Sequence, residues 1–271
     1  QRRVICLERQ AALCQKGAAL DRRAGVLCSW LNADIATPQA WTALEGRGVV
    51  ALHACGVLHR DLVTRAPGLG ARALAFAPCC FHRMTPGGPV SPRPAQDGTL
   101  APPPQHPLYV PLSRACRSKD LRLDQHALRL PASQEVVARP RQTHMRHREQ
   151  LYRLALDLLQ RDGSDAASYQ PMPPFPARWI RLSFDEFIRQ VDHAYGLNLP
   201  RIELDPILTR AESRLVQARA YGLVRGLFRR PLELWLVLDA ALALQEQNMQ
   251  VRLGTFCPPR ITPRNLLVVA T

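Results

Sequence analysis

Two stretches of this sequence end in side chains that can do chemistry. VVALHACG, residues 49–56, closes on His53 and Cys55, and ALAFAPCCFH, residues 73–82, closes on Cys79, Cys80 and His82. An apolar run that stops abruptly is the pattern of a strand buried on both faces, as in a parallel sheet. Ligands of open α/β sheets bind outside the carboxyl ends of the strands, so these five residues are expected to meet at one cleft. A histidine there can act as acid, base or orienter near neutral pH, and a thiolate can act as a nucleophile. The plain alternative is a satisfied, packed histidine and small buried cysteines filling the strand ends. The residue types also suit zinc, but the paired CxxC spacing is lacking, so no metal is expected.

The elements that must position these residues can be read in order. Residues 3–8, RVICLE, form a short strand ending in Glu8, followed by a helix stopped at Gly25 with Arg22 and Arg23 in its last turn. VLCSWLNADIA is a second strand whose end carries Asn32 and Asp34, and Thr37 and Pro38 start a short helix. VVALHACG, a short helix from LHRDLVTR, and ALAFAPCC complete an alternation that implies βαβ units and a parallel, doubly wound sheet. Residues 84–107 are too rich in Pro and Gly to pack and read as a flexible loop. Residues 108–130 have Leu spacing that suits helix. Helices follow over RHREQLYRLALDLLQRDG, closed by Gly163, over SFDEFIRQVDHAYGL, with Ser183 and Glu186 as a capping box, and over 206–229. In the last, Val216, Ala220, Leu223, Val224 and Leu227 make an apolar stripe expected to pack. Pro231 opens a nearly all-round apolar helix with Glu233 in its first turn, suited to lie on a sheet. MQVRLGTF and NLLVVAT close the chain as two strands able to form a hairpin. Trp30, Trp41 and Trp235 read as core, and Trp179 is open between core and surface.

The net charge is +14, which suits nucleic acid as a partner. The charge is spread out, however: +6 over residues 1–83 (11 basic, 5 acidic), +8 over 84–230 (22 and 14) and zero over 231–271 (3 and 3). With 34 Arg against 2 Lys, a compositional bias explains it equally well. ARPRQTHMRHR, residues 138–148, suits phosphate contact or a solvated helix start. Eight cysteines without a secretory leader suggest reduced intracellular thiols. The longest apolar segment, LELWLVLDAALAL, is broken by Glu233 and Asp239, so no membrane span is expected and a cytoplasmic location is. Residue 1 is Gln and the opening residues already read as strand, so the chain is expected to be a fragment that begins inside a domain.

LHACGVLH (52–59), APCCFHR (77–83), YVPLS (109–113), RPLELWLVLDAAL (230–242) and TPRNLLVVA (262–270) together resemble a family of class I S-adenosylmethionine-dependent methyltransferase domains. Its pattern is LH(A/T)CGDL followed by PCCYH, and it includes the animal protein named for a glutathione S-transferase C-terminal domain. The resemblance implies a Rossmann-like α/β sheet, N-terminally truncated, with the first strand and its Gly-rich loop missing. Residues 1–83 would be strands two to five of the core, 84–107 a flexible loop, 108–230 a mostly helical insertion, and 231–271 the closing helix and strand pair. Glu8 would hold the cofactor ribose hydroxyls. Asn32 and Asp34 would lie at the third-strand end, with Asp34 accepting from the adenine amino group. Leu52 and His53 would border the methyl-donor pocket, and His53, Cys55, Cys79 and Cys80 the acceptor side. A methyl group would pass from S-adenosylmethionine to a nucleophile by in-line displacement, catalysed mainly by positioning. On charge and the Arg-rich insertion alone, RNA or a translation-related protein is the acceptor to consider first. A cysteine adding to a base ring, as in carbon methylation of cytosine, is a further alternative. Two departures matter. Val57 stands where the family has Asp, and the absent glycine loop implies that this stretch alone binds cofactor poorly. Both favour the competing reading, a non-catalytic Rossmann-like binding module that takes RNA.

Overall fold

The computed structural model describes residues 4–35, 37–84, 108–132, 140–161, 172 and 174–271, without the side chains of His53 and Ala54. The described elements run β1 (Val4–Glu8), α1 (Ala11–Ala24), β2 (Cys28–Asn32), α2 (Pro38–Thr42), β3 (Gly48–Ala54), α3 (Val57–Arg65), β4 (Ala73–Pro78), α4 (Arg114–Arg117), α5 (Gln125–Arg129), α6 (Pro140–Gln160), α7 (Phe184–Tyr195), α8 (Leu204–Leu227), α9 (Arg229–Gln245), β5 (Val251–Thr255) and β6 (Leu266–Ala270). The expected loop over 85–107 and the expected stop at Gly163 lie outside the described residues. The chain divides into two units, one of residues 1–89, 106–132 and 230–271, the other of 90–105 and 133–229.

In the first unit every strand expected from the sequence forms, but they make two sheets. β1 and β2 pair in parallel, with Glu8 opposite Asn32. The connecting α1 ends at Gly25 in the left-handed conformation, and the Val26 amide turns back to the Asp21 carbonyl. This helix lies close on β2: a Cβ at Gly17 would sit 2.2 Å from the Trp30 ring, whose Nε1 donates to Asp21 Oδ2 at 2.6 Å. The second sheet has the order β3-β4-β6-β5. β3 and β4 are parallel, while β6 runs antiparallel to both β4 and β5. The expected closing hairpin is present, and it makes this sheet mixed rather than wholly parallel. The core joins Leu62 and Val63 of α3, Leu74 and Phe76 of β4, Leu236 and Leu244 of α9, and Val268 of β6. Met84, grouped by composition with the flexible loop, is buried in this core.

Residues 108–132 depart from the helical reading. They hold the short α4 and α5, capped by Ser113 and Asp124, whose side chains accept from the Cys116 and Ala127 amides, and a 3-10 turn at Leu130–Ala132, on otherwise irregular chain. Tyr109, Leu112, Leu123 and Leu128 enter the first unit's core, so the segment packs with the sheet unit rather than with the helices that follow it.

The second unit is helical as expected. α6, α7 and α8 meet around Leu156, Leu159, Phe187, Val191, Ile207, Ala211 and Leu215. Buried Asp157 of α6 pairs with Arg161 at 2.9 Å and with Arg214 of α8 at 3.6 Å. The capping box on α7 is complete: Glu186 N donates to Ser183 Oγ, and Ser183 N donates to Glu186 Oε2. The expected packing stripe on α8 is corrected. Val216, Leu223, Val224 and Leu227 are exposed, and the helix buries Ile207, Ala211 and Leu215 in its first half. The start of α6 is solvated. Trp41 is core, Trp30 and Trp235 are half-buried, and Trp179 is half-buried and stacked on Phe175.

A second correction concerns α9. It begins at Arg229, ahead of Pro231, so Glu233 lies past the first turn. Glu233 is buried and accepts from Arg230 Nη1 at 2.8 Å.

Candidate functional site

Two groups of the expected site residues come together, each at the carboxyl ends of a parallel strand pair. The first group closes β1 and β2. Glu8 Oε1 accepts from the Gln10 amide at 2.8 Å, which holds the carboxylate over the first turn of α1. Asn32 Nδ2 donates to the carbonyls of Glu8 and Arg9 at 3.0 and 2.8 Å. Its amide nitrogen therefore fastens the two strand ends. Asp34 pairs with Arg9 at 3.7 Å, and its carbonyl accepts from the Thr37 amide and hydroxyl. Thr37 is the N-cap of α2, as expected.

The second group closes β3 and β4. The strands run in register from Gly48↔Ala73 to Ala51↔Phe76, then slip by one residue so that Ala54 faces Pro78. A bulge of this kind redirects the side chains that follow it. Without the slip Cys55 would fall opposite Cys80. With it, Cys55 falls opposite Cys79. The Cys55 and Cys79 Sγ atoms lie 2.7 Å apart, and Cys79 to Cys80 is 3.7 Å. Leu52, on the slip, is 65% exposed, and the His53 side chain is outside the described residues.

Gly56 explains the glycine of the LHACG stretch. Its φ of 59° and ψ of −125° suit only glycine, and a Cβ would meet Arg83 Cβ at 2.5 Å and Arg83 O at 2.7 Å. The two cysteine stretches thus interlock through backbone contact. Val57 follows as the exposed first residue of α3.

The electrostatics bear on what the thiols can do. Burial pushes Cys55 and Cys79 above the usual thiol range. An unassisted nucleophile needs the opposite shift, so the cysteine-addition alternative gains no support from these surroundings. Burial, with Arg129, Arg83 and Arg264 nearby, lowers His82, and its buried Nδ1 has no hydrogen-bond partner among the described residues.

Two features escaped the sequence reading. His59 is fully buried between Phe76 and Phe81, at ring distances of 5.1 and 6.1 Å, and burial lowers it to about 4. It is therefore neutral at pH 7. Asp239 is fully buried on α9. It accepts from Tyr109 Oη at 2.7 Å, Leu112 N at 2.7 Å, and Ser113 N and Oγ at 2.8 and 2.6 Å. This carboxylate ties the YVPLS stretch to the closing helix. The only signal for it was an acid in an apolar helix. A surface concavity lined by Thr255, Phe256, Cys257, Pro258 and Asn265 includes none of the expected site residues.

No described helix is long and apolar enough to cross a membrane. Searches of curated proteins and of solved structures return no match. Residues 1–87, which contain both strand pairs and both cysteine stretches, match a family model described as a methyltransferase domain, and this match supports placing that part of the chain among methyltransferase domains.

Proposed function

We propose that this chain is part of an S-adenosylmethionine-dependent methyltransferase of Rossmann-like fold. The observation that carries the reading is the methyltransferase-domain match over residues 1–87, a segment in which Glu8 ends β1 opposite Asn32. Glu8 fits the cofactor on chemical grounds. It is a half-buried carboxylate at a strand end, and a carboxylate accepts two hydroxyl hydrogen bonds, as dinucleotide sites exploit. Asp34, two residues past β2, would accept from the adenine amino group in competition with Arg9. Leu52 and His53 would border the donor methyl, and Cys55, Cys79 and Cys80 would floor the acceptor side. The cofactor would supply an electrophilic methyl group. The chain would hold the acceptor in line with it and exclude water. In the resembled fold one further strand and its glycine loop lie between the strands that β1 and β3 resemble, which is where the two sheets part here.

For the acceptor we favour RNA. His82 sits among Arg83, Arg129 and Arg264, a cationic surround suited to phosphate, beside the cysteine edge. A location in the cytoplasm goes with this reading. Val57 in place of an acid favours the second reading, a Rossmann-like module that binds RNA without methylating it. The test is calorimetry with S-adenosylmethionine on the full reading frame that includes this chain, then on Glu8→Ala. We expect at least about tenfold weaker binding, the scale of one lost charged hydrogen-bonding group. Equal affinity removes Glu8 from the site, and absence of any binding removes the enzyme reading.

A further inference from the structure

We propose that Cys55, Cys79 and Cys80 form a three-thiolate site for a thiophilic d10 metal ion of the zinc class. The three sulfur atoms all lie within 4.8 Å of one another, delivered by two strand ends and the slip between β3 and β4. The sequence groups these thiols at one cleft, and only the lack of CxxC spacing spoke against a metal; the set that meets follows another pattern. It is one vicinal pair and one residue from the neighbouring strand.

The Cys79–Cys80 distance suits a metal edge, whereas the 2.7 Å between Cys55 and Cys79 lies between a disulfide length and that edge. Zinc–sulfur bonds of about 2.3 Å put the sulfurs of a tetrahedral site about 3.8 Å apart. Cys79 and Cys80 already stand at 3.7 Å. Cys55 and Cys79, at 2.7 Å, would open by about 1 Å, through rotation of the half-buried Cys55 side chain, to reach the same edge. A Cys55–Cys79 disulfide would leave the Cys80 thiol beside it without a function, whereas a metal uses all three. Cys79 is buried while Cys55 and Cys80 are half-buried, so the site is anchored inside and has an entry path from outside. Soft thiolate ligands select zinc-like ions over calcium or magnesium. Binding displaces the three thiol protons, so one divalent ion replaces three protons and leaves a site of net charge −1. Three protein ligands leave the fourth position to water or to an incoming group, the arrangement of zinc sites that do chemistry rather than only hold a fold. The inference stands on these sulfur positions and does not rest on the methyl-transfer reading.

The test uses the whole chain, purified and kept under reducing, anaerobic conditions, with cobalt(II) as probe and zinc in competition. We expect one cobalt per chain, thiolate-to-cobalt charge-transfer bands, d–d bands of tetrahedral intensity, and displacement by zinc. Cys55→Ser and Cys80→Ser, both at half-buried positions, are expected to weaken zinc by at least about tenfold and to shift the charge-transfer band, with circular dichroism confirming the fold. Cys116→Ser and Cys257→Ser serve as controls and leave both unchanged. The proposal is overturned if the wild-type chain gives no thiolate-to-cobalt band, if both variants bind like wild type, or if alkylation and mass analysis find Cys55 joined to Cys79 in the protein as isolated.

Discussion

Replacing Asp239 by Ala removes a fully buried carboxylate that receives four hydrogen bonds across the chain. The Ser113 hydroxyl can turn to a new partner. The Leu112 and Ser113 amides and the Tyr109 hydroxyl are left buried without an acceptor. At about 1–3 kcal/mol for each orphaned buried donor, offset by local relaxation and water entry, the loss is about 4 kcal/mol, in the range found when one member of a buried charged network is deleted. That corresponds to a fall in Tm of roughly 10 °C for a unit of this size. Tyr109→Phe deletes one donor and leaves the acceptor with three, so its cost is about 1 kcal/mol. Burial and the Asp239 carboxylate push the Tyr109 phenol far above its usual range, so it remains a donor at any working pH. Thermal and urea unfolding followed by circular dichroism provide the values. In the Asp239→Ala background the Tyr109→Phe change is expected to cost nothing further, because the bond it would break is already gone. If Asp239→Ala lies within about 1 kcal/mol of wild type, or if the two changes simply add, the network does not tie the YVPLS stretch to the closing helix as argued.

Two further outcomes are expected. His59 is held at about 4 against about 6.5 when unfolded, so between those values the unfolded chain binds more protons and stability falls as pH drops through the window. The loss reaches about 3 kcal/mol near pH 4; His59→Phe should flatten that part of a urea-midpoint profile, and an unchanged profile would show that His59 is not a buried neutral group. Gly56→Ala forces a Cβ against Arg83 at a positive φ and is expected to cost more than about 2 kcal/mol, whereas Gly46→Ala, at a positive φ of 63° with nothing near, costs about 1. Equal unfolding midpoints for the two variants would remove the Arg83 contact as the reason for glycine at 56.

The strand ends were legible because an apolar run that stops at Cys and His states both where a strand is buried and where it ends. Glu8, Asn32 and Asp34 could be placed for the same reason, and the Ser183–Glu186 box on α7 is a local code that needs no tertiary context. The roles of residues that depend on distant partners were not legible. Asp239 lies 126 to 130 residues from the donors that satisfy it, and nothing local distinguishes it from a surface acid. The meeting of Cys55 with Cys79 depends on a one-residue slip between strands, which a pattern of period two does not record. The α8 stripe shows the limit of periodicity in another way. Regular spacing of Val216, Leu223, Val224 and Leu227 establishes an apolar face, but says nothing of whether anything covers it. Leu spacing over 108–130 misled because the buried leucines do not share one helix: Leu112 lies ahead of α4, Leu123 between α4 and α5, and only Leu128 within α5.

The pairing of β4 with β6 sets a delay into the life of every newly made copy. Pro78, the last residue of β4, leaves the ribosome long before Leu266, the first of β6. At about 5–20 residues per second, close to 200 intervening residues take roughly 10–40 s to synthesise. Through that interval Leu74 and Phe76 belong to a strand that has its parallel neighbour β3 but lacks the antiparallel one, and α9, which brings Leu236 and Leu244 to the core, is missing too. An open apolar edge held for tens of seconds is a template for pairing with another nascent chain. Translation speed, and whatever shields β4 during that wait, are therefore expected to affect the yield of folded protein.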